Sequence, residues 1–155
     1  MIKELLSLDN IQLGVDVDNW KEAIEVAAQP LLEKGVITRD YVNAMVESVI
    51  KFGAYIVIGP GLALAHARPE DGANELGLSI TTLKTPVNFG SVDNDPVKII
   101  FCLAAVDSHS HLDVMQAIVR LLYKPGSIEE LSKSETKEEL VSKLFNEEWL
   151  KWLNA

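Results

Sequence analysis

The segment AYIVIGPGLALAHARPE (54–70) decides the reading of this chain. AYIVI and LALAH are short apolar runs joined by Gly59-Pro60-Gly61, which predicts two strands and a tight turn. His66 closes the second run, and Ala67, Arg68 and Pro69 carry the chain away. An imidazole and a guanidinium two residues apart, on a loop leaving a sheet, suit a phosphate group. Neutral imidazole is a nucleophile near neutral pH, and the guanidinium fork can neutralise phosphoryl oxygens with paired donors.

Working outward, GLSITTLK (77–84) and VKIIFCLAA (97–105) supply further strands, the second unbroken enough to be covered on both faces. Before the β-rich region lie two predicted helices. The first follows Asp18 as N-cap and runs through WKEAIEVAAQPLLEK to Gly35, with a break or kink expected at Pro30. The second follows Thr38, carries Tyr41, Met45, Val49 and Phe52 on one face, and stops at Gly53. After the last strand, Asp107 or Ser108 caps a helix with Leu112, Met115, Val119 and Leu122 as its stripe, closed by Pro125-Gly126. Capping boxes at Ser127 with Glu130 and Thr136 with Glu139 open C-terminal helices that end in EEWLKWLNA. The expected fold is α/β: a single domain over 1–155, with a mixed central sheet flanked by helices.

Composition narrows the function. A length of 155 residues and 48% apolar content fit one core. The longest apolar stretch, 54–65, is broken by its glycines and proline, so no membrane insertion is expected. The N-terminus lacks the apolar region and cleavage site of a secretory signal, which points to the cytoplasm. Cys102 is alone and reads as a buried small hydrophobe. A net charge of -9 disfavours nucleic acid. It also means that an anion site needs a local Arg or a helix N-terminus.

All three histidines follow apolar strands. His109 and His111 lie in DSHSHLD (107–113), where the helix start favours an anion and His111 could donate to phosphoryl oxygens. A rival reading makes His66, His109, His111, Asp107 and Asp113 metal ligands. The spacing of two between His109 and His111 does not match ligands sharing a helical face. GPGLALAH lacks the Gly-Lys-Ser/Thr ending of a nucleotide-binding loop. No metal and no cofactor is expected.

LALAHARPE (62–70) with SHLDVMQAIVRLL (110–122), together with YVNAMVESV (41–49) and FCLAA (101–105), resembles the enzyme IIA domains of the mannitol and fructose type, within them the ascorbate-like branch. The resemblance spans almost the whole chain. It implies a phosphocarrier whose phosphoacceptor is His66 and whose second active-site histidine is His111. Members accept phosphate from the histidine of the carrier protein HPr and pass it to a cysteine on a IIB partner, for uptake of a sugar or an ascorbate-like substrate. Ala67, Ser48 and Ser110 stand where mannitol-type members usually have Gly, a helix Arg and Glu. Arg68 is inferred to do the work of that Arg. Other readings are a regulatory module signalling by its phosphorylation state, and a metal-dependent hydrolase. A histidine that meets two proteins in turn is expected in a shallow depression, with an apolar surround sparse in charge.

Overall fold

The computed structural model describes residues 5–120 and 124–145. One five-stranded mixed sheet organises them: β1 (Ile11–Val15), β2 (Val57–Gly59), β3 (Leu62–Ala65), β4 (Gly77–Val87) and β5 (Val97–Ala104), in the order β1-β4-β5-β3-β2. β1 runs parallel to β4 and β3 parallel to β5, while β4 with β5 and β2 with β3 are antiparallel. The helices are α1 (Trp20–Glu33), α2 (Arg39–Phe52), α3 (Ser108–Arg120), α4 (Ser127–Ser132) and α5 (Lys137–Leu144). The mixed sheet and its helical cover agree with the sequence reading.

Strand alternation divides the core in two. Ala63, Ala65, Ile100 and Cys102 face α1 and α2, whose buried stripes include Ile24, Ala27, Leu31, Tyr41, Met45 and Val49. Leu62, Leu64, Ile99, Phe101 and Leu103 face the other way, onto Val114 and Ile118 of α3, Ile128 and Leu131 of α4, and Leu140 and Leu144 of α5. A period of two sends successive side chains to opposite faces. β3 can therefore be apolar at every position, and β5 at every position but Lys98, because both faces are covered. Small alanines on one face of β3 let the helices above it approach closely. Burial pushes the Cys102 thiol up to about 12, so it stays a protonated hydrophobe.

Several local expectations change. β1 precedes both helices and was not anticipated, although Ile11, Leu13 and Val15 alternate as a strand requires. The N-cap of α1 is Asn19, whose side chain accepts from the Glu22 amide, rather than Asp18. No break occurs at Pro30, and α1 runs through it. Proline deprives the Val26 carbonyl of its helical donor. That oxygen instead accepts from Gln12 Nε2 at 2.7 Å, and the Ala27 carbonyl accepts from Ser79 Oγ at 2.6 Å. Gln12 thus satisfies the carbonyl that the proline leaves without a donor, and Ser79 adds a bond one residue further on.

Phe52 was expected on the buried face of α2 but is 67% exposed. The first of the paired strands is only Val57–Gly59, because Ala54 to Ile56 form a turn in which the Val57 amide bonds back to the Ala54 carbonyl. α3 buries Val114 and Ile118, whereas Leu112 is exposed, so the buried stripe is rotated from the one expected. Leu122 and 147–155 lie outside the described residues. Gly126, with φ 79°, is the N-cap of α4, and Ser127 is the first residue of the helix rather than its cap. Thr136 does cap α5, accepting from the Glu139 amide at 3.0 Å, while Glu139 reaches back to the Glu135 amide. Among the described residues no helix is long and apolar enough to cross a membrane.

Candidate functional site

β3 and β5 are adjacent and parallel, with Ala65 opposite Cys102, so both chains leave the sheet at the same end. His66 follows β3 directly. The chain leaving β5 turns through Asp107 into α3, which brings His111 in its first turn back over that end. Asp107 is the cap: its carboxylate accepts from the Ser110 amide at 2.7 Å, and this bond holds its carboxyl below the usual range. The rings of His66 and His111 lie 5.5 Å apart, edge to face. Topology alone assembles these two residues, which are far apart in sequence. This end of the strands is where α/β folds hold ligands.

His66 is oriented from both sides. Its Nδ1 lies 2.7 Å from the Leu64 carbonyl oxygen. A carbonyl only accepts, so Nδ1 carries the proton and, in the neutral ring, Nε2 keeps a free lone pair. Tyr55 packs edge-on against the ring at 5.8 Å. Burial holds the His66 pKa below the ordinary histidine value, partly opposed by the Leu64 bond. His111 is lowered too, first by burial and then by its proximity to His66. Both rings therefore stay neutral on the acid side of an ordinary imidazole.

The loop after His66 is clamped to α2. The Ala67 amide donates to Tyr41 Oη at 3.0 Å, and that hydroxyl donates to the Leu103 carbonyl at 2.7 Å. One buried phenol therefore ties the chain after His66 to the end of β5, and burial raises its pKa. Further on, Gly72 has φ 132°, and a Cβ there would meet Thr38 Oγ1 at 2.1 Å, so only glycine fits against the start of α2. Tyr41→Phe removes only the hydroxyl and leaves the Ala67 amide and the Leu103 carbonyl without this partner. We expect a loss of about 1–3 kcal/mol in urea unfolding. An unchanged midpoint would show that the clamp contributes nothing.

His66, Ala67 and His111 line an open depression of about 740 Å³ with Tyr55, Arg68, Asp71 and one face of α2: Ala44, Glu47, Ser48, Lys51 and Phe52. Those α2 positions recur at helical spacing, on a face different from the buried Tyr41, Met45 and Val49. The surround is more charged than expected, since Glu47, Lys51, Arg68 and Asp71 join the aromatic rings. Arg68 lies in this wall, but its guanidinium faces its own loop: Nε is 3.4 Å from Asp71 Oδ2 and 3.7 Å from Glu70 Oε1. His109 is apart, 88% exposed and 3.4 Å from Asp113. Among the described residues no three His, Cys, Asp or Glu side chains converge as a metal shell. Sequence reasoning named His66, His111 and Arg68 but missed Tyr41, Tyr55 and the second face of α2. The 44, 47, 48, 51, 52 spacing was the available signal.

The family model "Phosphoenolpyruvate-dependent sugar phosphotransferase system, EIIA 2" matches residues 4–147. The ascorbate-specific PTS system EIIA component of Escherichia coli K12 is 37% identical over 133 residues, covering 85% of this chain and 86% of that protein. Among solved structures, the mannitol-specific cryptic phosphotransferase enzyme IIA CmtB of E. coli superposes with a TM-score of 0.83 at 31% identity, over 92% of this chain and 97% of that one. Nitrogen regulatory protein IIA-Ntr of Neisseria meningitidis gives a TM-score of 0.78 at 25% identity, over 92% and 98% of the two chains.

Proposed function

Because this chain belongs to the phosphoenolpyruvate-dependent sugar phosphotransferase system EIIA 2 family, we propose that it is a cytoplasmic phosphocarrier that takes a phosphoryl group from phospho-HPr onto His66 Nε2 and passes it to a IIB cysteine. The observation that carries this reading is the 2.7 Å contact between His66 Nδ1 and the Leu64 carbonyl. It fixes the tautomer that aims a lone pair away from the sheet, towards the open depression.

As the N–P bond of the donor phosphohistidine breaks, the Nε2–P bond forms. His66 keeps its Nδ1 proton, and the ring charge that develops meets the Leu64 carbonyl oxygen. When the IIB thiolate attacks, the S–P bond forms, the Nε2–P bond breaks, and the ring returns neutral with the same proton. Neither step requires a proton from water. His111 donates an N–H to a phosphoryl oxygen, and the positive end of α3 favours the same charge. Arg68 supplies a further donor once it leaves Asp71. An ascorbate-like substrate for the whole system is supported by the 37% identity to the ascorbate-specific relative. The regulatory reading has the IIA-Ntr fold behind it, at 25% identity, which is weaker support.

The test is a relay. Loaded with labelled phosphate, the chain should surrender it to the cysteine of an ascorbate-type IIB domain. With preformed phospho-HPr as donor, the loading rate should stay flat through the ordinary histidine pKa of about 6.5 and fall only below it. The sign follows from burial, which keeps His66 unprotonated to lower pH. Label that stays on the chain, or an acid limb centred at or above 6.5, would contradict the proposal.

A further inference from the structure

A phosphoryl group on His66 brings about two negative charges into a depression where the lining charges Glu47, Lys51, Arg68 and Asp71 cancel. The two cations there are not equally available. Arg68 is engaged by both neighbouring carboxylates, with Nε 3.4 Å from Asp71 Oδ2 and 3.7 Å from Glu70 Oε1. Lys51 is not engaged in this way: among the described residues its ammonium has no carboxylate within 4.0 Å, Glu47 one turn earlier included. Its contact is the face of Phe52, with Nζ 5.2 Å from the ring centroid. A cation held only by the ring quadrupole at an exposed site is weakly held. An oxygen of the dianionic phosphoryl group is a stronger partner.

We infer that Lys51 is a phosphoryl-binding residue of this site, its ammonium leaving the Phe52 ring for the oxygens of phospho-His66. The inference rests on His66 being the phosphoacceptor. A compact ammonium on a flexible stem has no fork geometry to satisfy. It can follow the group as it arrives and let it go as it leaves, which suits a carrier better than a clamp. Lys51 thereby adds a cation from α2 to the donors already assigned to the loop and to α3.

The experiment measures the second ionisation of the phosphoryl group by ³¹P NMR. The parent, Lys51→Met and Lys51→Arg are each phosphorylated to completion with phosphoenolpyruvate, enzyme I and HPr. Because the readout belongs to the loaded product, a slower loading rate in a variant does not affect it. A nearby cation favours the dianion, so Lys51→Met should raise that pKa by about half a unit or more. Lys51→Arg should restore it, and the difference should shrink as salt is added. A loaded parent with the same phosphoryl pKa as loaded Lys51→Met overturns this inference alone. A parent that takes no phosphate on His66 overturns the phosphocarrier reading and this inference with it.

Discussion

His66→Ala is expected to take up no label from phosphoenolpyruvate in the presence of enzyme I and HPr, while unfolding at nearly the parent's urea concentration. The effect on labelling is all-or-none because no other histidine has the same arrangement. His109 points to solvent beside Asp113, and His111 lacks the Leu64 carbonyl that fixes the tautomer of His66. The effect on stability is small because His66 sits just beyond β3, half-buried at an open depression. Its hydrogen bond to the Leu64 carbonyl is a single one, so its removal costs about 1 kcal/mol. Label on a folded His66→Ala chain would mean that the acceptor lies elsewhere.

His111→Ala should slow loading about 10²-fold, equivalent to roughly 3 kcal/mol of barrier. Its ring stands 5.5 Å from that of His66, on the first turn of a helix capped by Asp107. On the proposed reading, a phosphoryl group on Nε2 meets this ring at the first turn of α3. Burial and the neighbouring ring both keep His111 neutral, so its contribution is a directed N–H rather than a full charge. His111→Gln, which keeps an N–H donor, should recover part of the rate. Stopped-flow loading from phospho-HPr measures this directly, and a parent-like rate for His111→Ala would remove His111 from the site.

The features legible in the sequence were those enforced by chain-local pattern. LALA and VKIIFCLA read as strands because the first is wholly apolar and the second apolar but for Lys98, and both faces prove to be covered. His66 and His111 were identifiable because each follows such a strand, and parallel neighbours end together. β1 was missed because its support is remote: Ile11 pairs with Ile80 across the sheet, and Gln12 and Gly14 dilute the apolar signal. The stripe of α3 was misplaced because two of its faces are apolar, and only packing against Ile99, Phe101 and Leu103 selects Val114 and Ile118. Tyr41 read as core, which it is. Its hydroxyl serves the site through two bonds to residues distant in sequence, which no periodicity encodes. Arg68 was visible as a candidate donor, but its hold on Asp71 depends on the turn at 69–71.

Whether His66 Nε2 carries the phosphoryl group is read out by NMR of the chain with ¹⁵N-labelled histidine after loading from phosphoenolpyruvate. Phosphorus should couple to Nε2 of His66, with Nδ1 still protonated against Leu64. Phosphorus coupled to Nδ1 of His66, or to either ring nitrogen of His109 or His111, would contradict it.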